Sequence, residues 1–452
     1  MNWDIFRAYD IRGVYPDDLD EEAYYRIAKA YTYLFRPKTM VVGMDARESS
    51  PKLKDALSSG FADAGVNVVD IGGITTDMLY FAVGSSDYSG GIVVSASHNP
   101  RQYNGAKMVR EKAAAISSDT GLFDIRDALK AEKDKEVGSD KKGTVEPKDV
   151  LNDYIDHVLA FIDRDGIKPF KFIGNANFGY VNSAVALIVE KLGLNLIPLN
   201  FEPDGSFPKG TPDPLQPGNR AESVQLTKDS HADFAALWDA DADRCMFLDE
   251  KGEFISGAYI TALLADILLE KNGNDNKIIF DPRVIWPALK VCRQRGAQPL
   301  VSKSGHAFIK DRMRKENAIF AGEMSGHYYF RENFYADNGV IPFLLVVEYL
   351  SKTGKSFSEM MQQYMEGHYM SGELNYRVDD VKKVIEAVKS KFSKEGTEDF
   401  TDGYSLETTD WRFNIRPSNT EPLLRLNIEA RKDGLVENVR DQIEEIIGSK
   451  PQ

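Results

Sequence analysis

The chain has 452 residues, which is too long for a single hydrophobic core, so we expect three or four domains. Its composition, 42% hydrophobic and 28% charged with a net charge of −14, is typical of a globular protein and argues against nucleic acid as a partner. No apolar run is long enough to span a bilayer, the first residues lack the pattern of a signal peptide, and two cysteines can form no disulfide framework. We therefore expect a cytoplasmic protein without a membrane partner.

Strands and helices alternate in the first 148 residues. Strands are predicted at 41–45, 66–71 and 91–95, with helices at 51–64 and 76–83. Ser50 is the predicted N-cap of the first helix, because a serine side chain satisfies free backbone N–H groups. The alternation indicates βαβ units and a mostly parallel sheet. A mixed-charge stretch at 130–143 marks the end of this first domain, which we assign to residues 1–148.

The same pattern restarts twice. Residues 149–250 contain predicted strands at 171–174, 194–199 and 234–238, a helix at 181–192, and a proline-rich loop at 203–218. Residues 251–368 contain predicted helices at 259–271, 285–295, 306–315 and 339–351, and strands at 277–281, 298–302 and 318–321. Each of these two segments is therefore predicted to be an α/β domain.

The last segment, residues 369–452, has a different pattern. Strands are predicted at 374–378, 404–407, 411–415 and 423–429, and helices at 380–394 and 435–447. In the last of these strands, three apolar residues alternate with Arg425 and Asn427. This alternation predicts an α+β domain whose sheet is covered on one face only, with Arg425 on the solvent-exposed face.

A polar loop follows the buried strand that ends near residue 95. It reads Ser95-Ala96-Ser97-His98-Asn99-Pro100. Ligands of open α/β sheets bind beyond the carboxyl ends of the strands, which makes Ser97 a candidate nucleophile. Serine, asparagine and proline are also ordinary turn residues, so this loop alone is equally consistent with a polar turn.

Asp239, Asp241 and Asp243 follow the strand predicted at 234–238. In extended backbone the period of two would place the three carboxylates on one side. Three such charges repel one another unless a cation lies among them, and oxygen ligands suit Mg²⁺. A solvated acidic turn is the alternative. Arg244, the next residue, would hold a phosphate or form a salt bridge.

Polar loops also end strands in the third and fourth segments. Glu323, Ser325 and His327 offer hydrogen-bonding groups suited to sugar hydroxyls, although a polar strand end would look similar. The fourth loop combines a guanidinium, two hydroxyls and an amide, which suit a phosphate but also a β-turn; its residues are Arg416, Ser418, Asn419 and Thr420. Four such loops, one in each segment and each with different chemical groups, suggest one central cleft lined by four domains.

Two further cations, Arg12 and Lys107, precede and follow the serine loop. Each could be a surface charge. A phosphorylated Ser97, however, would carry about −1.5 to −2 charges at pH 7 and would need such partners. A serine, a Mg²⁺ site, nearby cations and a separate phosphate site together indicate phosphoryl transfer through a phosphoserine.

On these motifs the sequence resembles the α-D-phosphohexomutase family, and in particular its phosphomannomutase/phosphoglucomutase branch. The resemblance runs from Tyr9-Asp10-Ile11-Arg12-Gly13 to Arg416-Pro417-Ser418-Asn419-Thr420, with the motifs in the family's order. It implies three similar α/β domains with mixed sheets plus a C-terminal α+β domain, arranged around a central cleft. We expect a monomer or small homo-oligomer.

The resemblance also implies roles for the motif residues. Ser97 would be the phosphorylated serine with His98 beside it, and it would bind Mg²⁺ together with the three aspartates. The cations around the transferring group would be Arg12, Lys107 and Arg244. Sugar contacts would come from Tyr9, Arg283, His306, Glu323, Ser325 and His327. The non-reacting phosphate would be held by Arg416, Ser418, Asn419 and Thr420.

The implied reaction interconverts hexose 1-phosphate and hexose 6-phosphate through a hexose 1,6-bisphosphate, which also serves as activator. Mannose and glucose differ only at C2, and the sequence does not distinguish them. Lys107, His98 and His306 are all candidates for moving the proton. Two positions depart from the usual pattern: Ala240 replaces a common glycine, and Arg283 replaces a common lysine.

Three other functions compete with this interpretation. A phosphoglucosamine mutase would use the same chemistry on another sugar. A phosphoserine-dependent sugar-phosphate phosphatase would use the same serine and metal, but the separate phosphate site would then have no purpose. A sugar-phosphate binding protein would need no nucleophile, and the retention of Ser97 and all three aspartates argues against it.

Overall fold

The computed structural model describes residues 1–273, 275–418 and 423–451. The chain divides into two compact units. Unit 1 consists of Met1–Ile255 and Ser325–Ser358, and unit 2 consists of Ser256–Met324 and Glu359–Gln452. Within the described residues, no helix is both long and apolar enough to cross a membrane.

The N-terminal part of unit 1 is a mixed sheet with helices. Its strands are β1 (Ile11–Val14), β2 (Thr39–Met44), β3 (Asn67–Gly73), β4 (Gly90–Val94), β5 (Tyr103–Arg110), β6 (Ala114–Ala115) and β7 (Val145–Pro147). Its helices are α1 (Glu21–Phe35), α2 (Ser50–Asp63), α3 (Thr76–Gly84) and α4 (Phe123–Lys130). The strand order is β1-β5-β4-β2-β3-β7, with β6 paired to β5. Strands β2, β3, β4 and β7 run parallel, whereas β5 is antiparallel to both β1 and β4.

The predicted helix cap at Ser50 is wrong. Helix α2 begins at Ser50 itself, and its N-cap residue is Ser49, which makes no side-chain capping bond. The Ser50 hydroxyl instead donates a hydrogen bond of 2.6 Å to Asp45 Oδ1. The hydroxyl therefore connects the helix start to the end of strand β2 rather than capping the helix.

A second sheet follows in unit 1. Its strands are β8 (Lys171–Asn175), β9 (Asn195–Leu199), β10 (Phe234–Trp238), β11 (Cys245–Leu248) and β12 (Phe254–Ile255), and its helices are α5 (Leu151–Leu159), α6 (Val181–Leu192) and α7 (Pro217–Ser230). The order is β12-β11-β10-β8-β9. The sequence did not predict α7, since only Ser223 and Thr227 of this helix are buried and no apolar stripe marks it.

The first part of unit 2 is also α/β. It contains α8 (Gly257–Asn272), β13 (Lys277–Phe280), α9 (Trp286–Arg295), β14 (Gln298–Val301), α10 (His306–Glu316) and β15 (Phe320–Gly322). Strand β13 pairs in parallel with both β14 and β15. These parallel strands end in the loops that carry Arg283 and Glu323, as the pattern predicted.

Residues 325–358 return to unit 1. They form β16 (Tyr328–Phe330), β17 (Ala336–Asp337) and α11 (Val340–Thr353). Phe343 of α11 lies against Phe172 and Trp238, with ring centroids 5.0 and 5.6 Å away. This helix therefore completes the core beneath the second sheet of unit 1.

The C-terminal part of unit 2 has an antiparallel sheet. After α12 (Phe357–Met365), it contains β18 (Tyr369–Tyr376), α13 (Val381–Phe392), β19 (Thr397–Asp399), β20 (Tyr404–Glu407), β21 (Trp411–Pro417), β22 (Leu424–Ala430) and α14 (Leu435–Ile447). The strand order is β18-β22-β21-β20-β19. Helices α13 and α14 contribute Val388, Phe392 and Val439 to the core on one face. The predicted solvent-exposed second face is wrong in part, because Asn427 and Glu429 are completely buried there.

Candidate active site

The serine loop follows strand β4 and is held in an unusual conformation. Ser97 has φ of +48°, in the left-handed region that residues with side chains rarely adopt. Its backbone N–H donates to Ser95 Oγ at 2.9 Å, and the residue is only 2% exposed. Backbone strain of this kind concentrates at functional sites, where the surroundings must enforce it.

The three aspartates converge, but for a different reason from the one the sequence suggested. The residues after β10 form a turn, and Ala242 has φ of +52°, so the extended period of two does not apply. One oxygen from each of Asp239, Asp241 and Asp243 still lies within 4.8 Å of the others. Ala240, the departure noted in the sequence, is not among the residues with positive φ and so carries no such strain.

A close backbone approach supports this turn. A Cβ atom added to Gly179 would lie 2.1 Å from the carbonyl oxygen of Ala240. No side chain fits at that distance, so the loop after β8 must carry glycine here for the metal loop to take its path.

The hydrogen bonds to the aspartates fall mainly on one oxygen of each carboxylate, Oδ2. Asp239 Oδ2 accepts hydrogen bonds of 2.8 Å from both Ser97 Oγ and Arg244 Nε. Asp241 Oδ2 accepts from Lys107 Nζ at 2.6 Å. Asp241 Oδ1 and Asp243 Oδ1 are buried and, within the described part of the chain, have no hydrogen-bond partner. Asp243 Oδ1 lies 3.5 Å from His327 Nε2, beyond a good hydrogen bond. Buried carboxylate oxygens of this kind are the donors that a hard divalent cation takes, so the buried triad could bind a metal.

Two buried cations offset the negative charge of the triad. Lys107 lies opposite Val93 in the β4–β5 register, and its ammonium contacts both Asp241 and Asp243. Arg244 contacts Asp239 through Nε, while its Nη2 atom has no hydrogen-bond partner among the described residues. Burial alone would lower the pKa of both cations, but the aspartates raise it above the ordinary value, so both stay charged.

The three carboxyl groups differ in acidity. Burial raises the pKa of Asp239 to about 6, although Arg244 opposes this shift. Burial would also raise the pKa of Asp243, but Lys107 and His327 together hold it well below its usual range. Asp241 likewise has a lowered pKa, because Lys107 and Thr76 outweigh its burial and the charge of Asp243.

Arg12 and His98 complete the surroundings of Ser97. The guanidinium of Arg12 donates to the carbonyl oxygen of Ala96 at 2.5 Å and to Asn99 Oδ1, and it pairs with Asp10 at 2.9 Å. The His98 ring places Nδ1 3.2 Å from Ser97 Oγ. Burial and then the charges of Arg244 and Arg12 hold the pKa of His98 well below its usual value. Tyr9 lies in a bend just before β1 and is partly exposed.

Ser325 and His327 of the predicted sugar loop also belong to unit 1. His327 forms a backbone bridge with Arg244, and its Nε2 atom lies 3.5 Å from Asp243 Oδ1. Its Nδ1 atom lies 3.1 Å from Ser325 Oγ. The structure thus places His327, and Ser325 through it, beside the aspartate triad.

Unit 2 contains the other predicted residues. Arg283 forms a two-pronged pair with Asp281, with both N–O distances 2.8 Å. Glu323 Oε1 lies 3.4 Å from Arg283 and accepts from the Gly305 N–H at 3.2 Å. His306, the next residue, begins α10 and is 7% exposed. The arginine at position 283 therefore uses a planar fork that lysine could not supply.

Glu373 organises an arginine cluster in unit 2. Arg416, which is 3% exposed, lies 3.0 Å from Glu373 Oε2, and Arg283 lies 3.7 Å from the same oxygen. Arg425 lies 3.3 Å from Glu373 Oε1 and its side chain is 21% exposed, so it is only partly solvent-exposed and is paired, rather than an ordinary exposed residue as predicted. Ser418 follows in the same loop, whereas Asn419 and Thr420 lie outside the described residues.

Sequence models of four domains of one family match the chain in order. They are "Phosphoglucomutase/phosphomannomutase, alpha/beta/alpha domain I" at residues 4–136, domain II at 152–252, domain III at 256–368 and the C-terminal domain at 373–446. The chain belongs to the phosphoglucomutase/phosphomannomutase family. The predicted family and the four-domain α/β class are thereby confirmed, while the limits after residues 148, 250 and 368 stay predictions.

Individual relatives agree with this assignment. The chain is 43% identical over 443 residues to phosphohexose mutases of Xanthomonas campestris pv. campestris, covering 98% of both chains. It is 44% identical over 434 residues to a phosphomannomutase of Escherichia coli K12, covering 95% of both. A crystal structure of a phosphoglucomutase/phosphomannomutase family protein from Burkholderia thailandensis has a TM-score of 0.90 at 29% identity, covering 100% of this chain and 99% of that one. Membership of this family makes the protein an isomerase, a phosphohexomutase.

Several residues of this phosphohexomutase site were missed by sequence reasoning. Thr76, Asp281 and Glu373 all contact predicted site residues. Asp281 is the last residue of the strand predicted at 277–281 and follows the observed β13, so its position at a strand end could have identified it. Thr76 and Glu373 carry no such signal, since each lies within a regular element and contacts a residue distant in sequence.

A buried carboxyl group beside the metal loop makes stability depend on pH. Burial raises the pKa of Asp77 to about 7, although hydrogen bonds from Thr75 and Tyr154 oppose the shift. The folded protein therefore holds this proton to higher pH than the unfolded chain, and the associated stability is lost as pH rises from about 4 through 7. Relative to Asp77→Asn, the wild-type protein should lose about 2–3 kcal/mol of unfolding free energy between pH 5 and pH 8 in urea titrations.

A control variant isolates this effect. Asp87 is fully exposed, and Asp87→Asn should follow the wild-type pH profile. An Asp77→Asn profile parallel to that of the wild-type protein would contradict the assignment of the titration to Asp77.

Proposed function

We propose that the protein interconverts hexose 1-phosphate and hexose 6-phosphate, with mannose or glucose as the sugar, by reversible phosphoryl transfer through a phosphoserine at Ser97. The observation that carries the proposal is the contact of 2.8 Å between Ser97 Oγ and Asp239 Oδ2, at the edge of a buried carboxylate triad. The relatives named as phosphomannomutase and phosphohexose mutases support the substrate class.

The transfer begins with phosphorylated Ser97. The bond between Oγ and phosphorus breaks while the free sugar oxygen forms a new bond to the same phosphorus, which gives a hexose 1,6-bisphosphate. The hydroxyl proton of the sugar passes to a base, for which His98 and His306 are the candidates. Ser97 Oγ takes up a proton as it leaves, and the charged ammonium of Lys107 is a candidate donor. The other phosphate of the bisphosphate then returns to Ser97, and the isomerised monophosphate is released.

Asp239, Asp241 and Asp243 would hold Mg²⁺ together with the phosphoserine. The buried Oδ1 atom of Asp241, which has no hydrogen-bond partner among the residues that the structure describes, supports this assignment. A bound Mg²⁺ would neutralise charge on the transferring phosphoryl group.

Cations of the chain would stabilise the same group. Arg12, Lys107 and Arg244 lie around the serine loop and the triad. Arg244 Nη2 has no hydrogen-bond partner within the described ranges and is buried, so it is available to a phosphoryl oxygen. Charge neutralisation and positioning supply most of the catalysis in phosphoryl transfer.

Recognition of the sugar and of its second phosphate is assigned to the remaining loops. We assign hydroxyl contacts to Tyr9, Arg283, His306, Glu323, Ser325 and His327. The arginine cluster around Glu373 supports phosphate binding by Arg416, since a phosphate would satisfy guanidinium groups that a single carboxylate now shares. Ser418, Asn419 and Thr420 are assigned to the same phosphate.

Phosphorus NMR tests the proposal directly. The protein is mixed with Mg²⁺, a trace of glucose 1,6-bisphosphate, and either α-D-mannose 1-phosphate or α-D-glucose 1-phosphate. Growth of a 6-phosphate signal without inorganic phosphate is the expected result, and the faster sugar is the preferred one. Release of inorganic phosphate would indicate a phosphatase instead. If neither sugar reacts, glucosamine 1-phosphate is tested in the same way, and activity on it alone would indicate a phosphoglucosamine mutase.

A further inference from the structure

The two oxygens of Asp241 have opposite surroundings. Oδ2 accepts from Thr76 Oγ1 and Lys107 Nζ, each at 2.6 Å, and from Ser95 Oγ at 3.3 Å. Oδ1 is buried and has no hydrogen-bond partner within the described part of the chain. One oxygen is therefore saturated by donors, and the other is left for a ligand that the protein itself does not supply.

Thr76 makes a second contact with the same aspartate. Its backbone N–H donates to the Asp241 carbonyl oxygen at 2.8 Å, so the residue holds both the main chain and the side chain of Asp241. Thr76 is the first residue of α3, and a helix N-terminus favours a negative charge beside it. Both residues are completely buried.

The start of α3 is itself fixed in place. Asp77 accepts a hydrogen bond of 2.7 Å from the Tyr154 hydroxyl and another from Thr75 Oγ1. Thr76 is β-branched, which restricts its side chain to few rotamers. Lys107, by contrast, has a flexible stem and divides its ammonium between Asp241 and Asp243. Thr76 is thus the more rigid donor to Asp241.

We propose that Thr76 is a positioning residue for the metal site. By holding Oδ2 and the adjacent backbone, it fixes the rotation of the Asp241 carboxylate so that Oδ1 is presented to a divalent cation. The inference rests on the proposed metal-binding role of the triad and adds to it the first residue of helix α3. Residues that orient metal ligands in this way affect metal affinity as strongly as activity.

The test compares metal affinity in three variants. Thr76→Val keeps the shape of the side chain and removes the hydroxyl, whereas Thr76→Ser keeps the hydroxyl. Thr227→Val is the control, because Thr227 is also completely buried and loses a hydroxyl hydrogen bond of 2.7 Å, to the Ser223 carbonyl oxygen in α7. Binding of Mn²⁺ is followed by electron paramagnetic resonance, and melting temperature is recorded for each protein.

Thr76→Val should weaken Mn²⁺ binding by about 10- to 100-fold, while Thr76→Ser and Thr227→Val stay within about threefold of the wild-type protein. The two valine variants should show similar losses in melting temperature, which separates positioning from general destabilisation. Wild-type affinity in Thr76→Val, or an equal loss in Thr227→Val, would overturn the role of Thr76 and leave the metal site intact. A wild-type protein that binds no Mn²⁺ would overturn the metal site and this inference with it.

Discussion

Replacement of Ser97 by alanine should lower the rate of hexose phosphate isomerisation by about 10⁴-fold or more, as expected for loss of a nucleophile. The variant loses the Oγ contacts to Asp239 and His98 but retains a main-chain anchor of the loop, since Arg47 Nη2 still donates to the carbonyl oxygen of residue 97 at 2.7 Å. Alanine also tolerates the left-handed backbone about as well as serine does. The loss would therefore reflect chemistry rather than unfolding, and circular dichroism and melting temperature would check this.

A labelling experiment accompanies the rate measurement. The wild-type protein should take up phosphate from labelled glucose 1,6-bisphosphate, and Ser97→Ala should take up none. Ser85→Ala is the matched control, because the Ser85 hydroxyl at the end of α3 donates to the Phe81 carbonyl oxygen at 2.7 Å and makes no contact with the aspartate triad among the described residues. If Ser97→Ala kept a tenth of the wild-type rate, or kept the label, the phosphoserine mechanism would be wrong.

The second large effect, on the free energy of unfolding, is expected when Lys107 is replaced. Its side chain is 3% exposed, and the ammonium pairs with the carboxylates of two completely buried aspartate side chains. Lys107→Met removes the cation paired with Asp241 and Asp243, whereas Arg244 compensates only Asp239, and this loss should cost about 3–5 kcal/mol of unfolding free energy in a chelating buffer. Added Mg²⁺ should restore part of this loss, because a cation bound only by the folded state stabilises it.

Lys54→Met provides the comparison for Lys107→Met. Lys54 also forms a close ion pair, with Asp70, but that carboxylate is 22% exposed, so water can replace the lost partner. We expect at most about 1 kcal/mol of destabilisation there, with no response to Mg²⁺. Equal effects at the two lysines, measured by urea unfolding with and without Mg²⁺, would contradict a special role for Lys107.

The sequence predicted those parts of the fold that have a strong local pattern. Strand β10 and helices α6 and α14 lie where the apolar periodicity placed them. Helix α7 was missed because it buries few residues and no apolar stripe distinguishes it from the proline-rich loop before it. Local pattern therefore finds elements that pack against a core along one face, and it overlooks those that do not.

The site residues also divide into those that the local sequence predicts and those that it does not. The serine and aspartate loops stood out because polar residues interrupt buried strands, and the structure brings both loops together. The geometry of the aspartate loop could not be predicted, since Ala242 adopts a left-handed turn for which alanine carries no signal. Arg425 looked like an ordinary solvent-facing residue, because its partner Glu373 lies on a different strand and is distant in sequence. Contacts of this kind depend on tertiary structure, so the local sequence around each residue does not predict them.

The return of residues 325–358 to unit 1 has a consequence for how the protein is made on the ribosome. Domains usually fold as they emerge, at about 5–20 residues per second. The second sheet of unit 1 leaves the ribosome well before Phe343, whose ring lies 5.0 Å from that of Phe172 and 6.2 Å from that of Phe234. About 100 more residues must be synthesised, which takes roughly 5–20 s, before helix α11 can cover that aromatic surface. The nascent chain should therefore need a chaperone during this interval, and gene fragments that stop before α11 should aggregate.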